Sequence, residues 1–123
     1  MTVTVLVVDD ETDFLATYDR LLRRQGCRTI MAATRQAALA ALDAEPLALI
    51  IADIRLSDGD GLDVVRAARA HVKPPPVIVV TGFASEQSRR QALMAGATAY
   101  LAKPFSTAAL QSMVREALAP PPA

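Results

Sequence analysis

Five short apolar runs in this chain alternate with longer segments whose apolar residues recur every three or four positions. Most of the short runs are rich in valine, isoleucine, leucine or alanine and are too short for a helix, which is typical of strands buried on both faces. These runs predict strands at residues 3–8, 28–32, 47–52, 77–80 and 98–102. We expect the five strands to lie together in one buried sheet.

The longer segments have the spacing of helices that pack one face against a core. They predict helices at residues 11–25, from 34 to the residue before Pro46, and at 61–72, 85–95 and 106–118. Thr34 and Ser85 are residue types that cap the first turn of a helix, and Gly96 follows the fourth helix, where a glycine is common. Strands and helices that alternate predict an α/β fold, with a parallel sheet and five helices on its two faces. Hydrophobic periodicity does not reveal the order of the strands.

Length and charge narrow the class of protein. At 123 residues, the chain is expected to form one domain over residues 1–119, followed by a proline-rich tail or the start of a linker at 120–123. Thirteen basic and thirteen acidic residues leave no net charge, so nothing favours direct binding of nucleic acid by this domain. A single cysteine excludes an intramolecular disulfide. No stretch approaches the ~20 apolar residues of a membrane span, so we predict a protein of the cytoplasm without a membrane partner.

Polar residues stand at or just past the ends of four predicted strands, and this placement suggests chemistry. They are Asp9, Asp10, Asp53, Thr81 and Lys103. In an open parallel sheet, ligands bind beyond the carboxyl ends of the strands, so these side chains are expected to converge. Carboxylates are the hard oxygen ligands that Mg²⁺ or Mn²⁺ prefers, and one or two of them suffice for Mg²⁺. A carboxylate can also act as a nucleophile, and Asp53, which follows a wholly apolar run, is the predicted nucleophile.

Two further positions shape the predicted site. The hydroxyl of Thr81 can donate to a phosphoryl oxygen, and Gly82 after it leaves the approach open. The ammonium of Lys103 can face a phosphoryl oxygen and a carboxylate as a compact charge. Pro104 makes the bond before it a candidate for the cis isomer.

Each of these residues also has a plainer interpretation when it is taken alone. Asp9 and Asp10 can simply favour the start of the next helix, where negative charge is stabilised. Asp53 and Thr81 can be ordinary residues at strand ends, and Lys103 can be a solvated turn lysine. Their joint placement at the same end of successive strand–helix units favours a shared site.

The motifs around these residues resemble the receiver domain of two-component response regulators over residues 3–118. The resemblance is carried by Val-Leu-Val-Val-Asp9-Asp10-Glu11, by Asp53-Ile-Arg-Leu-Ser-Asp-Gly-Asp60-Gly61-Leu62, by Val-Val-Thr81-Gly82, and by Tyr100-Leu-Ala-Lys103-Pro104-Phe105. It implies a flavodoxin-like, doubly wound sheet of strand order 2-1-3-4-5. Ser57 and Asp58 depart from the family, which usually has proline and glycine in this loop, so the geometry of the loop is left open.

The resemblance also implies a role for each site residue. Asp53 would accept the phosphoryl group, while Asp10, Asp53 and the backbone carbonyl of Arg55 would bind Mg²⁺ and Asp9 would act through water. Thr81 and Lys103 would contact phosphoryl oxygens. Tyr100 would be a switch aromatic coupled to Thr81. Residues that tune the lifetime of the phosphoryl group would be Arg55, Gly82 and Phe83.

The function implied is that of a signalling switch rather than an enzyme with a separate substrate. The phosphoryl group would come from the phosphohistidine of a histidine kinase or phosphotransfer protein. The fourth helix, fifth strand and last helix would form the face that controls an effector domain or target protein. A homodimer formed on phosphorylation is left open, as are the cognate kinase and the output.

Three other functions would make different demands on these residues. A degenerate receiver that binds partners without phosphorylation would not need all five site residues. A flavin- or nucleotide-binding module on the same topology would want a glycine- or hydroxyl-rich loop after the first strand, where this chain is acidic. A metal-dependent phosphatase would need a second carboxylate two residues after its nucleophile, where Arg55 stands.

Overall fold

Five parallel strands form the central sheet of the computed structural model, which describes residues 2–119. The strands are β1 (Thr4–Val8), β2 (Arg28–Ala32), β3 (Leu49–Asp53), β4 (Val77–Thr81) and β5 (Ala99–Ala102). Their order across the sheet is β2-β1-β3-β4-β5, and every neighbouring pair is parallel. The predicted α/β fold and the implied strand order are therefore confirmed. The proline-rich tail expected at 120–123 lies outside the described residues.

Five helices cover the two faces of this sheet. They are α1 (Thr12–Arg24), α2 (Arg35–Ala44), α3 (Leu62–Arg69), α4 (Glu86–Ala95) and α5 (Thr107–Leu118). Side chains of β1 alternate between the two cores: Leu6 and Val8 pack with residues of α2 and α3, while Val5 and Val7 pack with residues of α1 and α5. Both cores are apolar, as expected for strands buried on two sides. No helix in this part of the chain is long and apolar enough to cross a membrane.

The helix ends follow local rules. The hydroxyl of Thr34 accepts from the N–H of Ala37, and Ser85 caps α4 in the same way. Gly96 ends α4 in the left-handed conformation, at φ 116°, which a glycine adopts without strain. The third helix ends at Arg69 rather than at 72, before a segment that leads into three consecutive prolines.

The segment after β3 differs from the irregular loop that its composition suggests. Arg55–Leu56 and Gly59–Asp60 pair as a short antiparallel hairpin. Its base is closed where the N–H of Gly61 donates to the carbonyl of Ile54 at 2.6 Å. We call residues 54–61 the acceptor hairpin, because this hairpin directly follows Asp53, the predicted phosphoryl acceptor.

The parallel topology places the polar residues at one edge of the sheet. Asp9 follows β1, Asp53 ends β3, Thr81 ends β4, and Lys103 follows β5. Since all these strands run in the same direction, their carboxyl ends open on the same crevice. The fold thus builds the site from four separate stretches of sequence.

Gly61 is a position where the fold leaves no room for a side chain. A Cβ there would lie 1.9 Å from the carbonyl oxygen of Asp53 and 2.9 Å from its carbonyl carbon. We expect Gly61→Ala to lower the free energy of unfolding by about 3 kcal/mol, because the backbone next to Asp53 must move. Urea unfolding followed by circular dichroism measures this loss.

Gly82→Ala is the matched control for that substitution. A Cβ at Gly82 would meet no atom within 4 Å, so the free energy of unfolding should change by less than about 1 kcal/mol. Equal losses in the two variants would show that crowding against Asp53 is not the cause.

Candidate functional site

The ammonium of Lys103 lies between two buried carboxylates. Its Nζ is 2.7 Å from Oδ2 of Asp9 and 3.0 Å from Oδ2 of Asp53. The carboxylate of Glu11 lies 3.8 Å away at a more exposed position. Only 7% of the Lys103 side chain is exposed, so these charges interact with little screening by solvent. One cation therefore joins the ends of β1, β3 and β5.

An aromatic ring closes the remaining side of this ammonium. The Nζ of Lys103 is 4.1 Å from the centroid of the Phe14 ring, within the range of a cation–π interaction. Phe14 belongs to α1 and packs near Tyr18 and Phe105. The ammonium of Lys103 thus contacts α1 through Phe14 and the strand ends through Asp9 and Asp53.

Asp9 is fully buried and both of its oxygens have partners. Oδ1 accepts from the backbone N–H of Glu11 at 2.9 Å, and Oδ2 accepts from Lys103. Burial raises the pKa of Asp9, and the hydrogen bonds from Lys103 and Glu11 offset only part of that effect. Burial alone would lower the pKa of Lys103, but its hydrogen bonds and charge interactions with Asp9 and Asp53 raise it instead. Lys103 therefore stays charged at neutral pH.

The predicted nucleophile Asp53 is nearly buried, with 7% of the residue exposed. Its Oδ1 accepts from the backbone N–H of Arg55 at 3.0 Å, and its Oδ2 accepts from Lys103. These two donors orient the carboxylate from opposite sides. A carboxylate held in this way can present its remaining lone pairs to a ligand above the sheet edge.

Four carboxylates at this edge could hold a cation. Each of Asp9, Asp10, Glu11 and Asp53 offers an oxygen within 4.8 Å of the others. Asp10 is exposed, whereas the oxygens of Asp9 are already bonded within the protein. Hard anionic oxygens beside open solvent are the ligand set that Mg²⁺ takes when it keeps several waters. The donor set therefore fits a magnesium ion.

Thr81 lies at the end of β4 with 1% of its surface exposed. Its hydroxyl accepts from the backbone N–H of Phe83 at 3.0 Å, and its carbonyl accepts from the N–H of Lys103 at 2.8 Å. The space around Gly82 is open. The peptide bond between Lys103 and Pro104 is cis.

A guanidinium and a ring stack at the rim of the site. The Cζ of Arg55 is 3.8 Å from the centroid of the Phe83 ring. Both residues are exposed, and they come from the acceptor hairpin and from the segment after β4. Their contact bridges the two loops that flank Asp53.

Tyr100 is half-buried on β5 and packs against the core beneath α2, α3 and α4. Its hydroxyl forms a 2.7 Å hydrogen bond with the hydroxyl of Ser88 in the first turn of α4. This bond links the proposed switch aromatic to the helix that follows Thr81.

Sequence reasoning predicted the five strand-end residues but gave no role to three side chains of the site. Glu11 and Phe14 lie beside Lys103, and Ser88 contacts Tyr100. The motif after the first strand includes Glu11, but Phe14 and Ser88 have no predicted role in the site. Phe14 does have a sequence signal, since it stands in the first turn of the helix predicted directly after Asp9 and Asp10, and therefore near the ligand edge. No sequence signal identifies Ser88, because its contact depends on how α4 lies against β5.

The charge balance at Lys103 generates a prediction about stability. Lys103→Met leaves Asp9 and Asp53 buried without a cation, so we expect the free energy of unfolding to fall by about 3 kcal/mol in EDTA. Magnesium should restore part of this loss because it neutralises the same carboxylates. Urea unfolding in EDTA and in MgCl₂ measures both effects.

Lys73→Met is the control, since Lys73 is the chain's other lysine and is exposed. We expect it to change the free energy of unfolding by less than about 0.5 kcal/mol in both buffers. If both lysine variants lost stability equally, the buried ion pairs would not be the reason.

The family model described as the response regulator receiver domain matches residues 5–115. The photosynthetic apparatus regulatory protein RegA of Rhodovulum sulfidophilum is 40% identical over 97% of this chain and 67% of that protein. The chain therefore spans about two thirds of that relative's length.

Two solved structures bear on the chemistry of the site. A response regulator from Burkholderia pseudomallei, solved with a phosphorylated aspartic acid, a calcium ion and citrate, is 30% identical, with a TM-score of 0.80 over 92% of this chain and 71% of that one. The receiver domain of a sensor histidine kinase from Pseudomonas aeruginosa PAO1, solved with a magnesium ion in its active-site cleft, is 29% identical, with a TM-score of 0.86 over 96% of this chain and 98% of that one.

Proposed function

This chain belongs to the response regulator receiver domain family, and on that premise we propose that it accepts a phosphoryl group on Asp53. The donor is the phosphohistidine of a histidine kinase or phosphotransfer protein. The single observation that supports this most strongly is the Lys103 ammonium shared between Asp9 and Asp53 at the carboxyl edge of the sheet. The neighbouring response regulator solved with a phosphorylated aspartic acid supports the same chemistry.

The transfer is a displacement at phosphorus. An oxygen of the Asp53 carboxylate forms the new O–P bond while the P–N bond to the donor imidazole breaks, and the electron pair of that bond returns to the imidazole nitrogen. Such a reaction needs mainly positioning and neutralisation of charge. The Arg55 N–H and the Lys103 ammonium orient the carboxylate. Lys103 then balances the charge that the phosphoryl group adds.

A divalent cation fits the acidic edge. Asp10, Asp53 and the backbone carbonyl of Arg55 would hold Mg²⁺ or Mn²⁺, with Asp9 acting through water. When bound, the ion neutralises the oxygens that surround the transferred group. Asp9 also holds Lys103 in place, because its Oδ2 accepts from that ammonium while its Oδ1 accepts from the N–H of Glu11.

Phosphorylation is converted into a conformational signal through Thr81. Its hydroxyl accepts from the N–H of Phe83, and it exchanges this bond for one to a phosphoryl oxygen. This movement changes the space beside Tyr100 and shifts the balance between two states. Because the Tyr100 hydroxyl is bonded to Ser88, the shift reaches α4 directly. The face formed by α4, β5 and α5 then controls an effector domain or target protein, and this signalling role requires no separate substrate.

The central prediction is that Asp53 is the residue modified. Incubation of the wild-type protein with acetyl phosphate and Mg²⁺ should add the mass of one phosphoryl group, and Asp53→Asn should add none. Asp60→Asn is the control, because Asp60 is an exposed carboxylate nearby whose oxygen only accepts from the N–H of Leu62. Intact-protein mass spectrometry measures the adduct. A wild-type protein that gains no adduct would favour the second candidate, a degenerate receiver that binds its partner without phosphorylation.

The stack of Arg55 on Phe83 generates a prediction about the lifetime of the phosphoryl group. We expect Arg55→Ala to shorten that lifetime about two- to fivefold, because an exposed cation–π contact contributes ~0.5–1 kcal/mol to closing the rim above Asp53. Loss of the adduct mass over time measures the decay.

Phe83→Ala should shorten the lifetime by the same factor, and the double variant should add nothing further. Arg55→Lys keeps a cation above the ring and serves as the control. Decay rates equal to that of the wild-type protein in both alanine variants would contradict a role for the stack.

A further inference from the structure

The tip of the acceptor hairpin is bonded to the beginning of α2. The two oxygens of Asp58 accept from the backbone N–H groups of Arg35 at 2.7 Å and Gln36 at 3.0 Å. These are the first two N–H groups of the helix, which have no partner within a helix. The same two donors lower the pKa of Asp58, so its carboxylate is ionised at neutral pH. Asp58 therefore caps a helix that is distant in sequence, while Thr34 caps the same helix locally.

The side chain of Arg35 makes a second connection across the hairpin. Its Nε donates to Oδ2 of Asp63 in α3 at 2.9 Å. On the way it crosses Gly59, where a Cβ would lie 2.7 Å from Cδ of Arg35. Gly59 also has φ 153°, a conformation that favours glycine. The exposed tip of the hairpin is thus attached to α2 through Asp58, and the Arg35 side chain passes Gly59 to reach α3.

The opposite end of the hairpin is fixed at the phosphoacceptor. The N–H of Arg55 donates to Oδ1 of Asp53, and the N–H of Gly61 donates to the carbonyl of Ile54. Arg55 therefore lies on a short segment that is held at its base by β3 and at its tip by α2. Ser57 and Asp58 form the tip, and the bonds of Asp58 to Arg35 and Gln36 attach this tip to α2.

We propose that Asp58 is a positioning residue for phosphorylation: its bonds to α2 hold the acceptor hairpin so that the backbone carbonyl of Arg55 faces the divalent cation beside Asp53. This inference rests on the proposed function. Asp58 acts through the hairpin and does not touch the phosphoryl group. Residues that orient a metal ligand in this indirect way typically change metal affinity about 10–100-fold when they are replaced.

A purely structural role for Asp58 would affect stability alone, and Thr34 supplies the control. Thr34→Ala removes one capping bond from the same helix without touching the hairpin. Both Thr34→Ala and Asp58→Ala should lower the urea midpoint. Only Asp58→Ala should raise the Kd for Mg²⁺, by about tenfold, when the unphosphorylated protein is titrated with MgCl₂ in a calorimeter.

The rate of phosphorylation by acetyl phosphate provides the second measurement. For Asp58→Ala, the half-saturating Mg²⁺ concentration should rise by about the same factor, while the rate at saturating Mg²⁺ stays within about twofold of wild type. The half-saturating Mg²⁺ concentration of Asp58→Asn should lie between those of the wild type and Asp58→Ala, because the amide oxygen can still accept one N–H.

The two proposals fail differently in these experiments. A wild-type protein that binds Mg²⁺ but gains no phosphoryl group would overturn the proposed function. Wild-type Mg²⁺ affinity in Asp58→Ala, with the same loss of stability as Thr34→Ala, would overturn the positioning role while phosphorylation remains.

Discussion

The ion pairs of Lys103 with Asp9 and Asp53 are the interaction on which the site depends. A buried carboxylate costs free energy unless it is paired, and two of them side by side would repel each other strongly. A single ammonium offsets both costs. It joins Lys103 to Asp9, 94 residues away in sequence, and to Asp53, 50 residues away. The same ion pairs therefore fix the geometry of the Asp53 carboxylate and hold this edge of the sheet together.

The two aspartates after β1 have different surroundings: Asp9 is buried and bonded to Lys103, whereas Asp10 is exposed. The N–H of Asp9 donates to the carbonyl of Ala32 at 3.0 Å, which continues the pairing with β2, and its side chain is turned inward. Asp10, the next residue, is exposed. Successive residues of an extended chain face opposite ways, so one carboxylate holds Lys103 while the other remains available to solvent and ions.

The sheet could be predicted because strands buried on both faces of a parallel sheet are continuous apolar runs in the sequence. The runs that became β3 and β4 are apolar and bounded by polar residues, and strand direction brings Asp53 and Thr81 to one edge. The contacts of Asp58 with α2 and of Ser88 with Tyr100 could not be found in this way. They depend on how helices and loops from different layers are oriented, and neither contact has a motif of its own.

The contacts around the site connect it to the helices on both faces of the sheet. Lys103 reaches α1 through the ring of Phe14, whereas the acceptor hairpin reaches α2 through Asp58. Tyr100 is bonded to α4, which lies on the same side of the sheet as α2 and α3. These connections are made by hydrogen bonds and a cation, which have discrete alternative partners, rather than by apolar packing, which resists gradual deformation. A group that competes for Lys103 and Thr81 would therefore exchange hydrogen-bond and ion-pair partners. The side chains of the two apolar cores would keep their packing.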